Sequence, residues 1–118
     1  LKQRGLLDET LIVWGAEFGR TPMLENREGK PLPFKGRDHH TAGFSMWMAG
    51  GGIKGGTTYG ETDPIGYDVI SGKVEAFDIQ ATLLNQLGFD HEKFTYEFQG
   101  RGFRLTDLSG KVIRDIIA

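Results

Sequence analysis

Apolar residues in this chain gather in short blocks, separated by long stretches with no readable period. Thr10–Trp14 (TLIVW) is a continuous, β-rich run, the pattern of a strand buried on both faces. Phe44–Ala49 (FSMWMA) repeats the pattern and ends at Gly50-Gly51-Gly52. Ahead of the first run, Leu1–Leu7 reads as the last turns of a helix ending near Gly5. Between the runs, Gly15–Gly43 is polar, carries Pro22, Pro31 and Pro33, and shows neither helical nor strand period. A loop that long is uncommon in a compact domain unless it is functional. A second irregular stretch extends from the glycines to about Tyr67. Asp78 then stands where it would N-cap a helix over Ile79–Leu87, with Ile79, Leu83, Leu84 and Leu87 on one face and Gly88 just past the end. Phe94–Leu105 is aromatic and strand-like, broken at Gly100 and Gly102, and Val112, Ile113, Ile116 and Ile117 form the stripe of a final short helix.

Helix, strand, loop, strand, helix is an α/β order. Two strands make a poor sheet by themselves, so the remainder of the sheet is expected in an N-terminal portion of the same protein or in a self-associating copy. The chain also opens at Leu1, without Met, inside what reads as a helix. It is therefore read as a single segment, residues 1–118, from the C-terminal part of a larger domain.

Composition narrows the partners more than the fold. Fourteen Lys and Arg against sixteen Asp and Glu leave a net charge of −2, with no basic face for nucleic acid. Cysteine is absent, which excludes disulfides and thiolate metal sites. No apolar run approaches the ~18 residues of a membrane span, and no signal peptide opens the chain. Glycine, at 18 residues, is roughly twice as frequent as average.

Candidate chemistry lies beside the two apolar runs. Glu17 and Arg20 follow Thr10–Trp14, and in open α/β sheets ligands collect outside the carboxyl ends of strands. The plainer alternative is a solvated loop ion pair. Asp38-His39-His40 precedes the second run. Neighbouring side chains on extended backbone point opposite ways, so one imidazole of the pair is available to a divalent ion while the other packs or bonds a carboxylate. His91, the third histidine, reads as structural or surface. Gly50, Gly52 and Gly55 match G-x-G-x-x-G, but Gly56-Thr57-Thr58-Tyr59-Gly60 does not open a helix. The stretch is therefore expected to be a strand-end turn with positive φ angles and no dinucleotide. No Gly-x-Ser-x-Gly elbow and no Cys nucleophile is present, so the chain holds no complete catalytic set.

Three ordered blocks resemble the C-terminal part of the alkaline phosphatase/sulfatase superfamily, and within it a bacterial branch of unknown function (DUF1501). They are "GLLDETLIVWGAEFGRTP", "GRDHHTAGFSMWMAGGGIKGG" and "VEAFDIQATLLNQLGFD". The resemblance implies part of a three-layer α/β sandwich with a mostly parallel sheet, incomplete on its own. It implies a sulfate- or phosphate-ester hydrolase whose nucleophile lies in the N-terminal portion, and a divalent metal ion (zinc, calcium or similar) held weakly by this segment. Glu17 matches the Asp of the family's Asp-His-Gly or Asp-Asn-Gly turn, and Gly19 its Gly. Phe18 stands at the second ligand, which puts a two-metal mechanism in question. His40, followed by Thr41, resembles the histidine of a later metal-binding His-Thr motif, with His39 the alternative. Arg20 is the expected clamp for a small anionic ester, and export from the cytoplasm is implied. The competing expectation is a non-catalytic binding or sheet-completing module of the same fold.

Overall fold

The computed structural model describes residues 1–26, 29, 30, 33 and 35–118; Pro31, in the expected long loop, lies outside them. The elements among these are β1 (Ile12–Trp14), β2 (Gly19–Leu24), β3 (Arg37–His40), β4 (Trp47–Ala49), β5 (Glu61–Thr62), β6 (Val69–Ser71), α1 (Ala76–Gln86), β7 (Thr95–Phe98) and β8 (Arg101–Arg104). Short 3-10 turns cover Lys2–Arg4 and Arg114–Ile116. The strands form four two-stranded sheets, β1–β4, β2–β3, β5–β6 and β7–β8. The last three are antiparallel.

This arrangement overturns the expected three-layer α/β sandwich on a mostly parallel sheet. Parallel neighbours need a crossover of a dozen or more residues, usually a helix, whereas here turn residues reverse the chain locally. Gln99 (φ 51°) and Gly100 (φ 76°) form the two-residue link between β7 and β8. Positive φ at both central positions is the turn whose twist matches that of an antiparallel hairpin. Gly100, expected to break a strand, instead joins two.

The expected Gly15–Gly43 loop contains a hairpin. Gly19 pairs with His40, Arg20 with His39 and Leu24 with Arg37, and the register shifts between Arg20 and Leu24. Pro22 sits at that irregularity, where its missing N–H breaks no ladder bond. The Thr21 hydroxyl, almost fully buried, donates to the Met23 carbonyl and accepts from the Met23 N–H at 3.2 Å each.

Two compact units result. The first comprises Leu1–Ile12, Ala49–Tyr59 and Val74–Ala118, and the second Val13–Met48 and Gly60–Lys73. In the first, α1 is capped at Glu75, not at Asp78. Glu75 is the N-cap, and the Asp78 carboxylate, three positions on, accepts the Glu75 N–H at 2.9 Å, a reciprocal capping box. Ala81 and Thr82 are the fully buried residues of the helix, while Ile79, Leu83 and Leu84 of the expected stripe are half-buried and Leu87, just past the helix end, is 68 % exposed. The chain after Gly110 lies along the face of Ala81 and Thr82. The Lys111 N–H donates to Asp78 at 2.7 Å, and the Ile113 N–H to the Thr82 hydroxyl at 3.0 Å. Those two amides are thereby spent on α1, which is why the expected last helix is extended chain with one 3-10 turn. Ile117 then bridges to Ile53.

Neither apolar run is buried on both faces. Trp14 is 70 % exposed and Trp47 54 %, and among the described residues only Ala81 and Ile113 are buried hydrophobics. An apolar surface of this extent binds environment-sensitive dyes and promotes association. The 118-residue chain is expected to enhance the fluorescence of such a dye and to elute as more than a monomer at high concentration. A dye-silent, monodisperse monomer is the contrary result. Among the described residues, no helix is long and apolar enough to cross a membrane.

Candidate functional site

Glu17, Arg20, His39 and His40 all lie in the second unit, where Arg20 and His39 are paired across an antiparallel hairpin and not along the rim of a parallel sheet. Glu17 is exposed and lies two residues before Gly19, at the end of β2 that faces His40. Gly19 is required there. A Cβ on it would sit 2.5 Å from the Gly43 carbonyl oxygen and 2.8 Å from the Phe44 Cβ, inside van der Waals distance of both. The lack of a side chain at Gly19 therefore lets the segment after β3 close against the start of β2.

The two histidines of β3 separate as adjacent residues on a strand must. His39 is exposed, and its ring lies 4.3 Å from the Phe18 ring, tilted by 36°. Arg20, its cross-strand neighbour, places its guanidinium 5.9 Å from the same Phe18 ring and donates to the Arg37 carbonyl at 3.0 Å. Phe18 thus has a packing role, holding an imidazole and a guanidinium on one side of the hairpin.

His40 is half-buried and turned toward the β5–β6 loop. Its Nε2 is 2.6 Å from the Tyr67 carbonyl oxygen, and its ring is 4.3 Å from the Tyr67 ring. A carbonyl only accepts, so Nε2 carries the hydrogen. In the neutral ring Nδ1 is then the nitrogen with the lone pair. A metal-binding histidine ordinarily donates its other N–H to a carbonyl or carboxylate in this way.

The β5–β6 loop is organised by Asp63, which the sequence reading did not single out. Asp63-Pro64-Ile65-Gly66 is a turn in which the Gly66 N–H reaches the Asp63 carbonyl at 3.0 Å. Proline at the second position pre-sets φ, and Gly66, at φ 69°, continues the chain in the left-handed region. The Asp63 carboxylate accepts the N–H groups of Tyr67 at 2.7 Å, Ile65 at 3.2 Å and Asp68 at 3.2 Å. These bonds, that from Tyr67 foremost, hold its carboxyl below the ordinary aspartate range. The Asp-Pro-x-Gly pattern was the available signal for the turn, but nothing in the sequence links it to His40.

The remaining candidates lie in the first unit. His91 is buried with its Nδ1 3.0 Å from the hydroxyl of Thr106, itself fully buried, which is a structural role. The glycine stretch is the expected turn, with Gly50, Gly51, Gly52 and Gly56 all at positive φ.

Zinc in structural sites takes four protein ligands, and in catalytic sites three plus water. Among the described residues, no group of three or more His, Cys, Asp or Glu is arranged to hold an ion. Around the hairpin the available donors are a carboxylate at Glu17 and an imidazole at His39 or His40, fewer than either kind of site takes, and Phe18 contributes none. No curated protein and no solved structure matches the chain. The chain belongs to the family described as "Protein of unknown function (DUF1501)", whose model matches residues 1–117.

Proposed function

We propose that this chain supplies part of the metal- and anion-binding surface of an ester hydrolase of the alkaline phosphatase/sulfatase type, and that it provides no nucleophile. The observation that supports this reading is the β2–β3 register. It brings the segment holding Glu17 and Arg20 alongside His39 and His40, although about twenty residues separate them in sequence. In the proposal Glu17 and one histidine hold a divalent ion together with ligands from the N-terminal portion. Arg20 exchanges its bond to the Arg37 carbonyl for an anionic ester oxygen. When bound, the ion would polarise that oxygen and stabilise charge on the transferring group.

Zinc titration of the 118-residue chain, followed by calorimetry and by amide shifts, tests the proposal. Weak, saturable binding is expected. Glu17→Ala and His40→Ala should each weaken it by at least about tenfold, or ~1.4 kcal/mol, while Glu97→Ala on β7 leaves it unchanged. No zinc response, or a response indifferent to both substitutions, would sink the metal reading. It would favour the second proposal, a non-catalytic binding module, which the packing of Phe18 against His39 and Arg20 supports.

A further inference from the structure

We propose that Asp63 is a positioning residue for His40, fixing its ring so that Nδ1, and not Nε2, is the nitrogen presented to a ligand. The inference deepens the metal reading of the same hairpin and rests on it for the identity of the ligand, though not for the geometry. Three links carry it. The Asp63 carboxylate takes the N–H groups of Ile65, Tyr67 and Asp68, which fixes the backbone on both sides of Tyr67. The Tyr67 peptide carbonyl, held by that turn, accepts the His40 Nε2–H at 2.6 Å. The Tyr67 ring lies against the imidazole at 4.3 Å and limits its rotation about χ2.

The loop is in turn seated against the chain that follows His40. A Cβ on Gly43, which is buried, would stand 3.4 Å from Val69 Cγ2 and 3.5 Å from the Tyr67 carbonyl oxygen. Loop and hairpin therefore approach closely at two points, the Gly43 backbone and the His40 ring. Asp63 does not touch His40 and acts only through Tyr67. An imidazole free to rotate offers either nitrogen to a ligand in several directions. One held by Asp63 and Tyr67 offers a single lone pair in a single direction, which lowers the ordering cost of binding.

The test is nitrogen-15 NMR of the imidazoles in the 118-residue chain, at a pH where the rings are neutral. In the wild type the His40 N–H should be visible and should reside on Nε2. Asp63→Ala should speed its exchange with solvent by at least about tenfold, through the freed Tyr67 carbonyl. Asp63→Asn keeps an acceptor oxygen for Ile65 and Tyr67 and should largely preserve the signal. Amide shifts of Thr21 and Met23 report whether the β2–β3 hairpin stays formed. On addition of zinc to the wild type, the shift change should fall on Nδ1.

Unchanged exchange in Asp63→Ala overturns the positioning role, as does equal loss in Asp63→Asn. Should Asp63→Ala unfold the hairpin, the wild-type data still decide: a proton on Nδ1, or zinc acting at Nε2, overturns the proposal. A wild-type N–H held on Nε2 and released by Asp63→Ala, with no response to zinc, upholds the positioning role and defeats the metal reading separately.

Discussion

Gly50→Ala is expected to destabilise the first unit by about 3 kcal/mol or more, whereas Gly56→Ala, in the same glycine-rich turn, should cost only about 1 kcal/mol. The two glycines share nearly the same backbone, with φ of 72° and 71°. An L-residue at either position bears the left-handed penalty. The difference is space. A Cβ on Gly56 meets nothing within 4 Å, while one on Gly50 would overlap the carbonyl oxygens of Thr10 and Leu7 and stand 2.8 Å from Leu7 Cδ1. The Leu7 carbonyl is already the acceptor for the Gly51 N–H, at 3.1 Å, and for the Thr10 N–H, at 3.2 Å. Moving it aside would disturb both bonds. Comparative urea unfolding of the two variants checks the difference. Equal losses would mean that the Leu7–Thr10 turn yields freely and that backbone strain is the whole effect.

Thr82→Val is the second large effect, expected to cost about 2 kcal/mol despite the nearly identical shape of the two side chains. Thr82 is fully buried, and its hydroxyl donates to the Asp78 carbonyl at 2.7 Å while accepting the Ile113 N–H at 3.0 Å. Valine removes the acceptor and leaves the Ile113 amide buried without a partner, which costs the desolvation of that group. Thr82→Ser keeps the hydroxyl and loses one methyl group, so its cost should stay near 1 kcal/mol. Thermal unfolding of the two variants orders them. If valine is tolerated better than serine, apolar filling and not the hydrogen bond holds the C-terminal segment to α1.

Both positions show how far local pattern reaches. The glycine turn was legible because positive φ is a property of single residues, and Gly50-Gly51-Gly52 declares it without reference to the rest of the chain. The hairpin turn at Gln99-Gly100 needed only the same reasoning, but the aromatic residues around it drew attention to continuity and not reversal. Helix α1 was legible from its period and from Gly88, and its start was misplaced by three residues. Asp78 serves the N-terminus from inside the first turn, a role that composition does not distinguish from capping at the boundary itself.

The candidate site divides in the same way. Residue order alone supplies the available groups: Glu17 and Arg20 directly after the first apolar run, two adjacent imidazoles, no thiol and no Gly-x-Ser-x-Gly elbow. It also determined that His39 and His40 face opposite ways, because alternation is inherent in extended backbone. It did not determine that Thr10–Trp14 and Phe44–Ala49 would each be partly exposed, since an apolar run looks the same whether covered or not. Nor did it reveal the antiparallel pairing of β2 with β3 behind a proline and a register shift. That pairing, the choice of Thr82 over the leucine stripe, and the line from Asp63 through Tyr67 to His40 were decided by tertiary structure alone. Each depends on contacts between residues 13 to 31 positions apart, and such contacts are selected by which backbone amides and carbonyls find partners, a condition no local pattern encodes.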